Sequence, residues 1–141
     1  MSQPPDHFDL VVVGAGPAGQ KAAVQGRKAG KRVLLIERAA RAGGECVRRG
    51  TIPSKALRQQ AMDAVAFKRK MGNISLPTRG TGEISLTNHL REAAKISAAH
   101  VDTAEKQLAR NGIDRAHGLA RFIDAHTVEI VDVTGAARRV H

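Results

Sequence analysis

Two blocks near the N-terminus are apolar at every position rather than at alternate ones: Leu10-Val11-Val12-Val13 and Val33-Leu34-Leu35-Ile36. Such runs predict strands buried on both faces, as at the centre of a parallel sheet. Between them Ala18, Ala22, Ala23, Gly26 and Ala29 follow helical spacing, and Gly30 is placed to end that helix. Residues 8–37 therefore read as a βαβ unit. Residues 38–54 form a loop rich in Gly and Arg, and Pro53 suits the first turn of a helix that continues through Leu57, Ala61, Ala64, Val65 and Lys68 to about Met71. The segment 72–82 is rich in breakers. Thr87 can cap a longer helix over 87–111, with a stripe of Leu90, Ala94, Ser97, Val101, Ala104 and Leu108 that signals packing against a neighbour. After Ile113 the period shortens. Leu119–Ile123, Thr127–Asp132 and Ala136–Val140 predict three short strands joined by tight turns, an antiparallel meander within 113–141. The fold class is α/β: a partial doubly wound, Rossmann-like parallel sheet followed by a three-stranded meander.

Composition narrows the picture. At 141 residues the chain has the size of one domain, and with aromatics at 2% its core must be built from Val, Leu, Ile and Ala. The single cysteine, Cys46, excludes an internal disulfide framework and suits a reducing compartment. No segment approaches the roughly 18 apolar residues of a membrane span, and the first residues lack a signal-peptide pattern. A cytoplasmic protein is expected. The formal charge of +10 raises nucleic acid as a partner, but the basic residues are scattered and no Tyr or Trp interleaves with them. They predict a solvated surface that partly answers a multiply charged cofactor. The six histidines show no metal spacing, so no metal site is expected.

The candidate chemistry begins where the first strand meets the first helix. Gly14, Gly16 and Gly19 form a Gly-x-Gly-x-x-Gly turn. In such a turn the first glycine permits the tight bend, the second lets backbone approach a pyrophosphate, and the third lets helix pack on strand. The helix start then offers unpaired N–H groups to phosphate oxygens. Glu37 ends the second strand 18 residues beyond Gly19, where a carboxylate accepts hydrogen bonds from a ribose. The competing explanation is an ordinary glycine-rich turn in a βαβ unit.

The block Gly43-Gly44-x-Cys46-x-x-x-x-Thr51-Ile52-Pro53-Ser54-Lys55-Ala56-Leu57 follows this fingerprint. Together they resemble the FAD-binding start of the pyridine nucleotide–disulfide oxidoreductase family. Gly50 to Arg58 is most similar to its transhydrogenase branch, and Gly118 to Val128 extends the likeness. The resemblance implies FAD as cofactor, with its pyrophosphate on Gly14, Gly16, Pro17, Ala18 and Gly19 and its adenosine ribose on Glu37. Arg38 would help hold the adenosine phosphate or remain a surface arginine. Gly43 and Gly44 would approach the other phosphate and the ribitol, while Gly118 to Ala120 would lie near the adenine. Cys46, Thr51 and Lys55 would face the flavin, the Lys55 ammonium stabilising charge on its reduced form. Cys46 is either a redox thiol or a packing residue. Thr51 stands where disulfide reductases of the family carry their second cysteine, so a dithiol relay within these residues is excluded. Val47-Arg48-Arg49 departs from the family pattern.

The implied activity is hydride transfer between NADPH or NADH and NAD(P)+ through FAD. Members of the family continue into a further strand, a nicotinamide-binding domain with its own glycine fingerprint, and a dimerisation domain. No second fingerprint follows Gly19. The sequence is therefore expected to be an incomplete FAD-binding domain that meets NAD(P)(H) only if another polypeptide completes it. Two other readings stand beside this one: a non-catalytic dinucleotide-binding or interaction module, and one piece of a split flavoprotein reductase.

Overall fold

The computed structural model describes residues 6–71 and 86–141; the breaker-rich segment 72–82 lies outside the described residues. In chain order the elements are β1 (Leu10–Val13), α1 (Pro17–Lys28), β2 (Val33–Glu37), α2 (Gly44–Arg48), α3 (Thr51–Met71), α4 (Leu86–Arg110), β3 (Asp114–His117), β4 (Leu119–Phe122), β5 (Val128–Val131) and β6 (Ala137–Val140). The strands form a parallel sheet ordered β1-β2-β3 and an antiparallel sheet ordered β4-β5-β6.

β2 is the centre of the molecule. Val33 and Leu35 face α1 and α4, packing with Val12, Ala23, Val24, Ala104, Leu108 and Ile113. Leu34 and Ile36 face the meander, packing with Phe8, Val128, Ile130 and Val140. An element apolar at every position thus serves two cores, which is the physical content of its unbroken hydrophobic run. The layers are helices, parallel sheet and meander.

Several sequence expectations are corrected. β1 is an edge strand of the described sheet rather than its centre: Val12 is buried, but Val13 is 52% exposed. The parallel sheet gains β3, whose Asp114-Arg115-Ala116-His117 carries no strand signal; it forms because its backbone pairs in register with Leu34 to Glu37. The meander accordingly begins at Leu119 rather than after Ile113. Within 38–54, expected to be a loop, Gly44–Arg48 is helical and α3 already starts at Thr51, with Pro53 in its first turn. Thr87 lies inside α4, not before it. The α4 stripe is buried only toward its C-terminal end, at Val101, Ala104 and Leu108; Leu90 is 52% exposed and Ala94 is exposed, and Ala93 is buried instead.

The meander has the expected order and antiparallel sense. Its inner face is apolar, and its one buried acid, Glu129, is held between guanidinia from both neighbouring strands, Arg121 at 2.6 Å and Arg139 at 3.5 Å. Pairing is what makes such burial tolerable.

Candidate functional site

The connections leaving β1 and β2 converge at the carboxyl ends of those strands, and four glycines set their geometry. Gly14 adopts φ +97°, a left-handed conformation, and donates to the Ile36 carbonyl at 2.7 Å. A Cβ on Gly19 would stand 1.9 Å from the Gly14 carbonyl oxygen, so only glycine lets α1 pack this closely on β1. Gly44, at φ +62°, brings its own backbone against that of Gly16: a Cβ there would stand 2.8 Å from Gly16 Cα. Gly43 ties the same two connections by donating to the Ala15 carbonyl at 2.9 Å.

α1 starts at Pro17 after an extended Gly16 that supplies no side-chain cap, and its first turn holds no acid. Its own first turn thus offers no acid and no side-chain cap to its leading N–H groups and positive dipole end. Its last turn, by contrast, carries Arg27 and Lys28, which complement the negative end.

Glu37 closes the other wall. Its Oε2 accepts from the Ala15 N–H at 2.7 Å and its Oε1 from the Ala39 N–H at 2.9 Å. These bonds fix the carboxylate at the tip of β2, and each oxygen retains a further lone pair. Gly118, where β3 turns into β4, donates to the Glu37 carbonyl at 3.0 Å, and a Cβ there would stand 2.4 Å from the Val131 carbonyl oxygen.

The resulting cleft has a volume of about 310 Å³, toward the small end of ligand sites, which span roughly 300–1,000 Å³. Of the expected residues, Gly14, Gly16, Glu37, Arg38, Gly44, Gly118 and Ala120 line it together. Pro17, Ala18, Gly19 and Gly43 do not line it. Cys46, Thr51 and Lys55 stand outside it, on α2 and near the start of α3; Cys46 is half-buried and free, and Thr51 and Lys55 are exposed. Sequence reasoning missed Val13, Glu45 and Arg48, which also line the cleft. The last two lie three residues apart on α2, a face that could not be assigned while the segment read as a loop.

The loop between β2 and α2 is anchored from α4. Glu105 Oε1 accepts from the Ala42 N–H at 2.6 Å, and its Oε2 pairs with Arg115 at 2.5 Å. Burial pushes the Glu105 carboxyl up, but those two donors and the charge of Arg41 outweigh it and hold it below the ordinary carboxylate value. One turn away, the hydrogen bond and charge of Arg41 lower the carboxyl of Asp102. Among the described residues no cluster of His, Cys, Asp and Glu could hold a metal ion, and no helix is long and apolar enough to cross a membrane.

The close glycine contacts, the uncapped helix start and the carboxylate at the tip of β2 fit a dinucleotide lying across the carboxyl ends of the strands. Comparison with known proteins agrees. The pyridine nucleotide-disulphide oxidoreductase family profile matches residues 8–138. A soluble pyridine nucleotide transhydrogenase of Marinomonas sp. is 41% identical over 127 residues, covering 88% of this chain and 26% of that protein. One from Mycobacterium bovis is 39% identical, covering 89% of this chain and 26% of its own length. Among solved structures, a Cu(II) complex of the HOCl-induced flavoprotein disulfide reductase RclA from Escherichia coli superposes with a TM-score of 0.76 at 26% identity, covering 96% of this chain and 26% of that one. The chain thus spans about a quarter of the length of these relatives. From its glycine turns to its meander, this chain belongs to the pyridine nucleotide-disulphide oxidoreductase family.

Proposed function

We infer that the chain is the FAD-binding portion of a flavoprotein oxidoreductase that passes hydride between NADPH or NADH and NAD(P)+. The observation that carries this reading is the cleft in which Gly14, Gly16, Gly44, Glu37, Gly118 and Ala120 meet. Backbone N–H groups at the start of α1 would receive the diphosphate, and Glu37 the adenosine ribose, while Gly118 to Ala120 flank the adenine. Arg38 stands at the rim, where it adds positive charge near the adenosine phosphate. Bound flavin supplies reversible two-electron acceptance and release of hydride. Lys55, exposed near the start of α3, offers the cation that tunes it.

The transhydrogenase reading is preferred to disulfide reduction because the chain holds one sulfhydryl, Cys46, and Thr51 occupies the place of a second. Cys46 then acts as a packing residue near the ring. The nicotinamide substrates would be met through a further domain, on the same polypeptide or on a separate completing chain.

A second reading, a dinucleotide-binding module without catalysis, draws on the position of Cys46, Thr51 and Lys55 outside the cleft. One titration separates the two. The purified chain should take up FAD with a change in flavin fluorescence and retain a yellow colour on gel filtration. Equal or tighter binding of ADP-ribose, with Lys55→Met leaving FAD affinity and flavin spectrum unchanged, would favour the module. No binding of either ligand would remove both readings.

A further inference from the structure

Arg38 and Arg48 line the cleft, Arg41 and Arg49 lie close to them in sequence, and three of these four arginines find carboxylates among the described residues. Arg38 lies 4.0 Å from Glu45, Arg49 lies 3.7 Å from the same side chain, and Arg41 pairs with Asp102 at 2.5 Å. Those three are exposed, whereas Arg48 is half-buried. Among the described residues Arg48 has no carboxylate within ion-pair distance. Its guanidinium donates to the Arg41 carbonyl, a bond to a neutral acceptor that leaves most of its planar fork of N–H donors unused. Neither acid in the cleft answers it: Glu37 is engaged by two backbone N–H groups, and Glu45 by Arg38 and Arg49.

A half-buried arginine with no counter-ion leaves its positive charge available to an anion in the cleft. Arg48 lines the same cleft as Gly14, Gly16 and Gly44, and its fork geometry matches phosphate oxygens. We propose that Arg48 is the side-chain counter-ion for the ligand's diphosphate, a binding residue added to the backbone cradle. The proposal rests on the dinucleotide reading above. It also gives a role to the Val47-Arg48-Arg49 stretch, which the family pattern leaves unexplained.

The test compares Arg48→Gln and Arg48→Lys with the unaltered chain by titration with FAD, ADP and adenosine over a range of NaCl concentrations. Gln removes the charge while keeping a polar side chain with N–H donors. It should weaken FAD and ADP by about tenfold, as loss of a charge-assisted hydrogen bond does. It should also flatten the salt dependence of their binding, and leave adenosine affinity and the melting temperature of the free protein unchanged. Lys should fall between, keeping the charge without the fork. FAD and ADP affinities and salt dependence matching those of the unaltered chain would overturn the role of Arg48. So would an equal loss for adenosine, which would make Arg48 a prop for the 38–43 loop. If the unaltered chain takes up neither FAD nor ADP, the dinucleotide reading itself fails and the inference falls with it.

Discussion

Gly16 and Gly44, 28 positions apart in sequence, touch through their backbones: a Cβ added to Gly44 would lie 2.8 Å from Gly16 Cα. This contact closes the floor of the cleft and fixes the start of α1 against the start of α2. Gly44→Ala would meet both that clash and a φ of +62° that L side chains rarely adopt. The expected loss is about 3 kcal/mol of stability, the sum of a strained conformation and a displaced backbone. Thermal unfolding should register it as a fall in Tm of roughly 10 °C. Gly16→Ala makes a useful contrast, since its nearest neighbour would be Gly44 Cα at 3.9 Å and its φ is −72°. That variant should fold almost normally and lose dinucleotide affinity, because the added methyl sits where the ligand backbone approaches. Equal melting temperatures for the two variants would refute this division of roles.

Glu37 holds the tip of β2 by accepting from Ala15 and Ala39 at once. In Glu37→Gln one of those N–H groups would face an amide NH₂ instead of an acceptor. A half-buried donor left in that state costs about 1–3 kcal/mol. The same substitution removes the charge that would attract ribose hydroxyls, so FAD affinity should fall beyond what the stability loss explains. Glu37→Asp, shorter by one methylene, should lose one of the two backbone bonds and show a smaller loss of Tm. Amide exchange at Ala15 and Ala39 reports this directly: both should exchange faster in Glu37→Gln, and unchanged rates would count against the assignment.

The parts of this fold legible in the sequence are those where one physical cause acts alone. β2 is apolar at every position because it serves two cores, and Gly14 and Gly19 are required by φ and by contact, so both stood out. β1 has the same apolar pattern and predicts the same two-sided burial, yet it lies at the edge of the described sheet; hydrophobicity records burial sought, not neighbours present. β3 was invisible because its stability comes from pairing with β2 while its charged side chains stay exposed, leaving no periodic signal. α2 was hidden for a different reason. At five residues it is too short for a period to be counted, and so the face shared by Glu45 and Arg48 could not be seen. The site residues carried by backbone geometry were readable, whereas those carried by a side chain on an unassigned turn were not.

Lys55 stands exposed on α3, and among the described residues its ammonium is in no hydrogen bond or ion pair. Lys55→Met should therefore change stability by no more than about 0.5 kcal/mol. In the FAD-loaded protein its effect should be electrostatic. A single cation near the flavin at a partly exposed site is worth about 1 kcal/mol, which for a two-electron couple corresponds to roughly 20–30 mV. Removing it should make the reduction potential more negative by that amount. Photoreduction against a reference dye measures the shift, and an unchanged potential would relegate Lys55 to a surface role.

The loop that carries Ala42 and leads into Gly43 and Gly44 depends on Glu105 of α4, and that dependence should vary with pH. Burial alone would raise the Glu105 carboxyl, but the Ala42 N–H and the Arg115 guanidinium bind the carboxylate form, and the folded-state value is depressed below 4.5. A group with a depressed folded value stabilises the protein when ionised, so its contribution is fully present above the unfolded value. It is lost as pH falls through the folded one. Exposed Asp102, Asp124 and Asp132 have lowered carboxyls as well, each through hydrogen bonds to its own neighbours, and these would add to any general acid instability. The Glu105 part is isolated by comparing the chain with Glu105→Gln, which can still accept from Ala42 but cannot form the ion pair. At pH 7 the variant should melt lower than the unaltered chain. The gap should narrow below pH 4.5 and close once Glu105 is protonated in the folded protein. High salt should shrink the gap only partly, because the carboxylate is 20% exposed and poorly screened. A gap that stays constant from pH 7 to pH 3 would mean that the loop is held by hydrogen bonding alone and that the charge of Glu105 contributes nothing to the cleft's wall.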